Sequence, residues 1–174
     1  MKIGGLGKGG KRRMKKKVMF IILGIVLFVV VIIGVVFALF NKSKVPLTAE
    51  QFKSTMEEKG YVVTDATAQF SEYDYVKKIF VAEAANDDYQ VEFYELADES
   101  YAANFYANNK AIFESSKGNV SGETSVNMKN HSKYTLSSND KYQVVSRIDN
   151  TVVFLNVDGS HKEAVKDLLK QLGY

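Results

Sequence analysis

Hydrophobic and polar residues follow three different periods along this chain, and each predicts a different element. From Val18 to Phe40, VMFIILGIVLFVVVIIGVVFALF, 23 residues succeed one another with no charged or strongly polar member. As a helix the run is about 35 Å long at 1.5 Å per residue, enough to cross a bilayer with slight tilt. Transfer scales make its insertion favourable by about 6 to 12 kcal/mol. A helix packed on a soluble core keeps a polar stripe, and this run has none. It outlasts the roughly 7 to 15 apolar residues of a cleaved signal peptide. Val36-Phe37-Ala38 is a poor cleavage site because Leu39 and Phe40 continue the apolar stretch. The pattern predicts an uncleaved signal anchor over residues 18–40.

Helical spacing returns three times further on. Thr48 and Gln51 form a capping box, Leu47 and Phe52 a hydrophobic staple, and a helix follows to about Lys59, ended by Gly60. Phe52 and Met56 mark its inner face. Asp98 and Glu99 suit the positive end of a second helix, predicted over Asp98–Lys117, with Ala102, Phe105, Tyr106 and Phe113 at helical spacing. Ser160 and Glu163 predict a third capping box, before an apolar face of Ala164, Val165, Leu168, Leu169 and Leu172 and a stop at Gly173.

Strand-like runs lie between the helices, at Val76–Ala84, after Tyr89, at Lys133–Ser137, after Tyr142 and at Thr151–Val157. Asn86-Asp87-Asp88-Tyr89-Gln90-Val91 matches Asn139-Asp140-Lys141-Tyr142-Gln143-Val144 at five of six positions. Asn-Asp between two alternating runs is hairpin chemistry. The echo is compatible with an internal duplication or with two turns solved alike. Val120, Val126 and Met128 allow one further short strand. The predicted fold class is α+β: an N-terminal transmembrane helix, then an antiparallel sheet with about three helices on one face, in the order α-β-β-β-α-β-β-β-α.

Alternation also predicts which way side chains point. Tyr89, Val91, Phe93, Tyr142, Val144, Ile148, Val153, Leu155 and Val157 share the expected core face. The opposite set includes Gln90, Glu92, Tyr94, Gln143, Val145, Arg147, Val152 and Phe154. Its mix of aromatic and hydrogen-bonding groups makes Tyr94, Arg147 and Phe154 a candidate recognition face, unless loops, the anchor or a partner chain cover it.

Charge sharpens the layout. Residues 1–44 hold ten Lys or Arg and no acid, which leaves 23 − 10 = 13 bases and 20 acids afterwards, a net of 13 − 20 = −7. Eight of those bases precede the apolar run and two follow it, so the positive-inside rule places residues 1–17 in the cytoplasm and the body outside. The expected domains are a basic cytoplasmic tail (1–17), the anchor (18–40), a linker (41–45) and an extracytoplasmic α+β domain (46–174). The expected localisation is the cell membrane, single-pass. Lys11, Arg12, Arg13, Lys15, Lys16 and Lys17 form a membrane-surface cluster, each able to gain about 1 kcal/mol from anionic lipid headgroups. The expected partners are therefore the bilayer, those headgroups and a protein or cell-envelope component outside. An acidic body argues against nucleic acid.

Chemistry-bearing motifs are scarce. Gly5, Gly7 and Gly10 fit G-x-G-x-x-G, but no strand precedes them, and the P-loop version has Arg12 where Ser or Thr belongs. There is no cysteine, and His131 and His161 have no zinc-site spacing. Ser121 misses the nucleophile-elbow pattern by one residue. The acidic pairs Glu57-Glu58 and Asp87-Asp88 read as solvated surface. Asn41, Asn119 and Asn130 each begin an N-x-S sequon. The reading is no catalytic residue, no metal site and no cofactor.

Four features together carry a resemblance: the Lys-rich start, the Val/Ile-rich anchor, the strand Tyr142–Arg147 and the end Lys166–Tyr174. The chain resembles single-pass, membrane-anchored proteins of Gram-positive bacteria with an exported domain, a group without a motif of known activity. The resemblance implies a location rather than a reaction. The expected function is a non-enzymatic, membrane-tethered binding or accessory domain. The alternatives are a cell-envelope hydrolase using acidic residues and a signalling protein with a short basic cytoplasmic tail.

Overall fold

Thr48 opens the first helix as its pattern requires. Its hydroxyl accepts the N–H of Gln51 while the Gln51 side chain accepts the N–H of Thr48, so the box closes in both directions over α1 (Ala49–Glu58). Gly60, at φ 84°, takes the left-handed conformation that ends it. The computed structural model describes Ile32 and residues 43–85, 89–119 and 121–174. The predicted basic cluster and, apart from the helical Ile32, the predicted anchor lie outside the described residues. Among the described residues, no helix is long and apolar enough to cross a membrane.

The chain divides into Met1–Lys42 and Ser43–Tyr174. Lys44, within the expected linker, is docked in the second unit. Its N–H donates to Asn130 Oδ1 (3.2 Å), Asn130 Nδ2 donates to its carbonyl (2.7 Å), and its Nζ donates to the Gly173 carbonyl (2.7 Å).

In the second unit a meander of β1 (Tyr61–Asp65), β2 (Val76–Ala84) and β3 (Gln90–Leu96) leads to α2 (Glu99–Ser115). A second meander follows, of β4 (Ser121–Asn127), β5 (His131–Ser138), β6 (Lys141–Ile148) and β7 (Thr151–Asp158), and α3 (Lys162–Gln171) closes the chain. All neighbours are antiparallel, in the order β1-β2-β3-β7-β6-β5-β4. The optional short strand is β4. The pairing of β3 with β7 joins the two meanders in one sheet.

Asn139 and Asp140 lie at φ 52° and 57°, the paired positive values of a two-residue type I′ turn, as Asn-Asp predicts. Gly118 permits that turn to dock on the end of α2. A Cβ there falls 2.3 Å from Asn139 Oδ1, while the Gly118 N–H donates to Ser138 Oγ (2.8 Å) and Asn139 Nδ2 donates to the Ser116 carbonyl (3.0 Å). Residues 86–88 of the matching segment lie outside the described residues. Val91 and Val144 share one face, yet α1 and α2, which precede the two hairpins, pack on opposite faces. The echo therefore does not extend to the helices.

The expected core face is the core. All nine predicted residues join Phe52 and Met56 of α1 and Val165, Leu168 and Leu169 of α3 in one buried cluster. Phe52 stacks on Phe93 with centroids 4.7 Å apart. Two details at the end differ from expectation. The Ser160 box does not form, because Asp158 accepts the Ser160 N–H (3.0 Å) and caps a short 3₁₀ turn, leaving Glu163 to pair with Lys166. Ala164 is exposed.

The expectation of all helices on one face is corrected: α1 and α3 lie on one side and α2 on the other. The reason is visible in β6, where every residue after Lys141 is buried. Val144 and Val145 are neighbours pointing oppositely, so both faces need cover. On the second face Ala102 and Phe113 of α2 pack with Tyr134, Leu136, Val145, Val152 and Leu96.

Candidate functional site: an aromatic pocket

The second face has a cavity that grows out of the turn after β1. Asp65 Oδ1 accepts the Thr67 N–H (2.9 Å), and Thr67 Oγ1 in turn accepts the N–H of Ile79 on β2 (3.0 Å). The Ala66 N–H donates to the Ile79 carbonyl (3.0 Å), and Lys78 Nζ reaches Asp65 Oδ2 at 3.1 Å. Hydrogen bonds from the hydroxyl and then the N–H of Thr67, helped by Lys78, hold the Asp65 carboxyl down at about 2. A 3₁₀ turn over Thr67–Phe70 is thereby stitched to β2.

The loop that follows is fixed by its own backbone. The N–H groups of Tyr73, Val76 and Ala97 donate to the carbonyls of Phe70, Tyr73 and Tyr75 at 3.0, 3.0 and 2.8 Å. These bonds present Phe70, Tyr73 and Tyr75 over the sheet. Their rings meet at angles, Tyr73 against Tyr75 at 5.6 Å and 51°, while Tyr75 stacks on Tyr101 of α2 at 4.8 Å and 12°. From the other side Tyr94 of β3 and Phe105 of α2 approach to 4.5 Å at 45°. Val76, Ile79 and Leu96 form the floor.

The result is a cavity of about 230 Å³ whose eight lining residues include five aromatic rings. Drug-sized sites run to roughly 300–1,000 Å³, so this one suits a smaller group. Its walls are apolar. The segments that supply them, residues 70–79 and 94–105, hold five acids and two bases, a net of 2 − 5 = −3. Of the two bases, Lys78 is already paired with Asp65.

Tyr94 links this pocket to a second, more open cavity. Burial, reinforced by its hydrogen bond to Glu92, pushes the Tyr94 phenol well up, and its hydroxyl donates to Glu92 Oε2. Gln90 Nε2 donates to the other carboxylate oxygen (2.8 Å). Glu92 then forms, with Glu83, Gln90, Asn156, Tyr89 and Phe154, a shelf of about 570 Å³ on the part of the sheet beyond α2.

The three residues of the candidate recognition face lie on this second face, Tyr94 and Phe154 both packed on Phe105. Tyr94 lines the aromatic pocket, and Phe154 packs on Phe113 (5.4 Å) with one edge on the shelf. Arg147 is 7% exposed, its Nη1 donating to the Asp149 carbonyl (3.3 Å) and its Nε unpartnered. Helix α2 covers the middle of this face, and both cavities lie on its β2–β3 side.

Neither histidine lines either cavity. His161 packs its ring 4.8 Å from Tyr89, and His131 Nδ1 lies 3.2 Å from Asn130 Oδ1. Burial, then Lys44 and Arg147, hold the His131 pKa below its ordinary value. Among the described residues no group of three or more His, Cys, Asp or Glu is placed to hold a metal.

Sequence reasoning missed Phe70, Tyr73 and Tyr75. A signal was present: FSEYDY, residues 70–75, alternates aromatics with acids in a stretch that continues no strand or helix. Aromatics that no element's period requires have another reason to be there. Comparison with family models, with curated proteins and with solved structures finds no match to this chain.

Proposed function

We propose that this protein is a non-enzymatic binding module, tethered by residues 18–40 to the outer face of the cytoplasmic membrane, and that it takes its ligand in the aromatic pocket. The observation that carries the binding half is the pocket's construction. Five rings from one loop, a strand and a helix converge on one small cavity, and a hydrogen-bonded turn fixes that loop's place on the sheet. Pre-formed apolar walls with few polar groups are the usual make-up of a small-molecule site. The tethering half is supported by the apolar run and by eight bases before it against two after it.

Two tests separate the halves. For binding, small apolar and cationic probes are screened by saturation-transfer NMR against the full chain in maltoside micelles. Probe signals should collapse in Tyr73→Ala and Tyr75→Ala. Signals unchanged in both variants contradict the pocket's role. For location, the natural absence of cysteine makes single labels clean. Lys170→Cys should react with a membrane-impermeant maleimide on intact, wall-stripped cells and Lys8→Cys only after lysis; the reverse pattern overturns the orientation.

A hydrolase reading draws on Glu83 and Glu92, two carboxylates lining one shelf. Loss of an envelope-degrading activity in Glu83→Gln together with Glu92→Gln favours it.

A further inference from the structure

We infer that the ligand class of the aromatic pocket is a methylated ammonium cation, a trimethylammonium group such as choline carries. The inference rests on the binding reading above and goes beyond it by assigning charge and shape.

Three observations converge. The first is the ring geometry. Phe70, Tyr73, Tyr75, Tyr94 and Phe105 line one cavity, with neighbouring rings tilted 41°, 51° and 45° rather than stacked flat. Rings at such angles are not stacked flat on one another, and all five border the same volume. Each face carries the negative side of the ring quadrupole, and a cage of them favours a diffuse cation over a neutral apolar group. The second is size. A cavity of about 230 Å³ is small for a drug-like ligand and suits one compact group.

The third is charge. The lining segments carry a net −3, and Lys78, one of their two bases, is bound to Asp65. The other, Lys77, directs its Nζ to the Asp74 carbonyl (3.1 Å). Tyr94 adds a particular refinement. Its hydroxyl donates to the Glu92 carboxylate, which leaves the phenol electron-rich at the pocket wall. A compact ammonium with N–H groups loses hydrogen bonds to water in an apolar cage. A trimethylammonium has none to lose and carries its charge spread over methyl groups, so the same cage stabilises it at a smaller desolvation cost.

The decisive comparison uses choline and its uncharged carbon isostere, 3,3-dimethyl-1-butanol, which has the same shape. Each is titrated into the full chain in maltoside micelles, followed by aromatic NMR shifts. Choline should bind about tenfold more tightly or better than the isostere, the scale of a partly desolvated cation–π contact. Tyr73→Leu and Tyr75→Leu keep apolar volume but remove a ring, and each should narrow that ratio several-fold. Tyr73 is 41% exposed, so its variant is expected to fold. Raising salt should weaken choline and leave the isostere unchanged.

Equal affinity for the two probes overturns the cation assignment while leaving an apolar binding site. Choline binding that survives both leucine variants undiminished, or no choline binding at all, also overturns it. Phosphocholine and phosphatidylcholine vesicles, compared with phosphatidylglycerol vesicles, identify the source. Free choline preferred over phosphocholine points to a soluble ligand, the reverse to a headgroup, and both carry the same cation.

Discussion

On one face of the sheet two ten-residue helices bring Phe52, Met56, Val165 and Leu169 to complete burial, whereas on the other a single helix of 17 residues buries only Ala102 and Phe113. Strand spacing explains the contrast. Seven strands span about 29 Å at ~4.8 Å each, and one helix is about 10–12 Å across. Two helices with their loops seal such a sheet; one cannot. The aromatic pocket and the acidic shelf both lie on the β2–β3 side of the second face, at opposite ends of those strands. Function is sought on the side where cover is incomplete and stability on the side where it is complete.

That division can be broken or sharpened by substitution. The largest effect is expected at the sealed face. Phe52→Ala removes a fully buried ring stacked on Phe93 and should cost about 3–5 kcal/mol in chemical denaturation. A cost no larger than that of a surface change means the face is not sealed. Gly118→Ala comes next, because its Cβ falls on the Asn139 side chain; a loss of about 1–3 kcal/mol is expected. Adding Asn139→Gly should recover part of it, and failure to recover places the strain elsewhere.

Asp65→Asn should act mainly through the turn that carries the aromatics. A depressed carboxyl stabilises the fold fully above its unfolded range near about 4, and that contribution fades as pH falls toward about 2. The pair is half exposed to water, so the loss at neutral pH should be no more than about 1 kcal/mol. The variant and the natural chain should converge in stability near pH 2. A gap that persists there assigns the effect to something other than ionisation.

The smallest effect is expected at His131. Its folded pKa is lowered by burial and by Lys44 and Arg147, with Asp149 opposing, so the unfolded chain binds more protons. Its contribution is present above 6.5 and is lost as pH falls through the lower folded value. His131→Gln should flatten the stability profile below pH 6.5; an unchanged slope shows that another group titrates.

Much of the fold was legible because local signals agreed with one another. The Thr48 box, the Asn139-Asp140 turn, the limits of β2 and the nine-residue core face all follow from patterns within a few residues. Three things were not legible. The side on which α2 packs depends on β6 being buried on both faces, and alternation alone assigns only one face to a core. Asp158 caps the last turn in place of Ser160 because a 3₁₀ turn intervenes, shifting the helix start by one residue. The pocket unites residues 70–79 with 94–105, and only strand pairing and the Ala97–Tyr75 bond bring those together. Of the candidate recognition face, Tyr94 proved to be a wall of the pocket, Phe154 is packed under α2, and Arg147 is buried.

The tyrosines allow the central claim to be read directly, since Tyr73, Tyr75 and Tyr94 line the pocket while Tyr142 and Tyr174 lie in the sealed core. Aromatic-selective NMR of the tyrosine-labelled full chain during a choline titration should shift the first three resonances together and leave the last two in place. Shifts confined to Tyr142 and Tyr174, or none in any of the five, contradict the account.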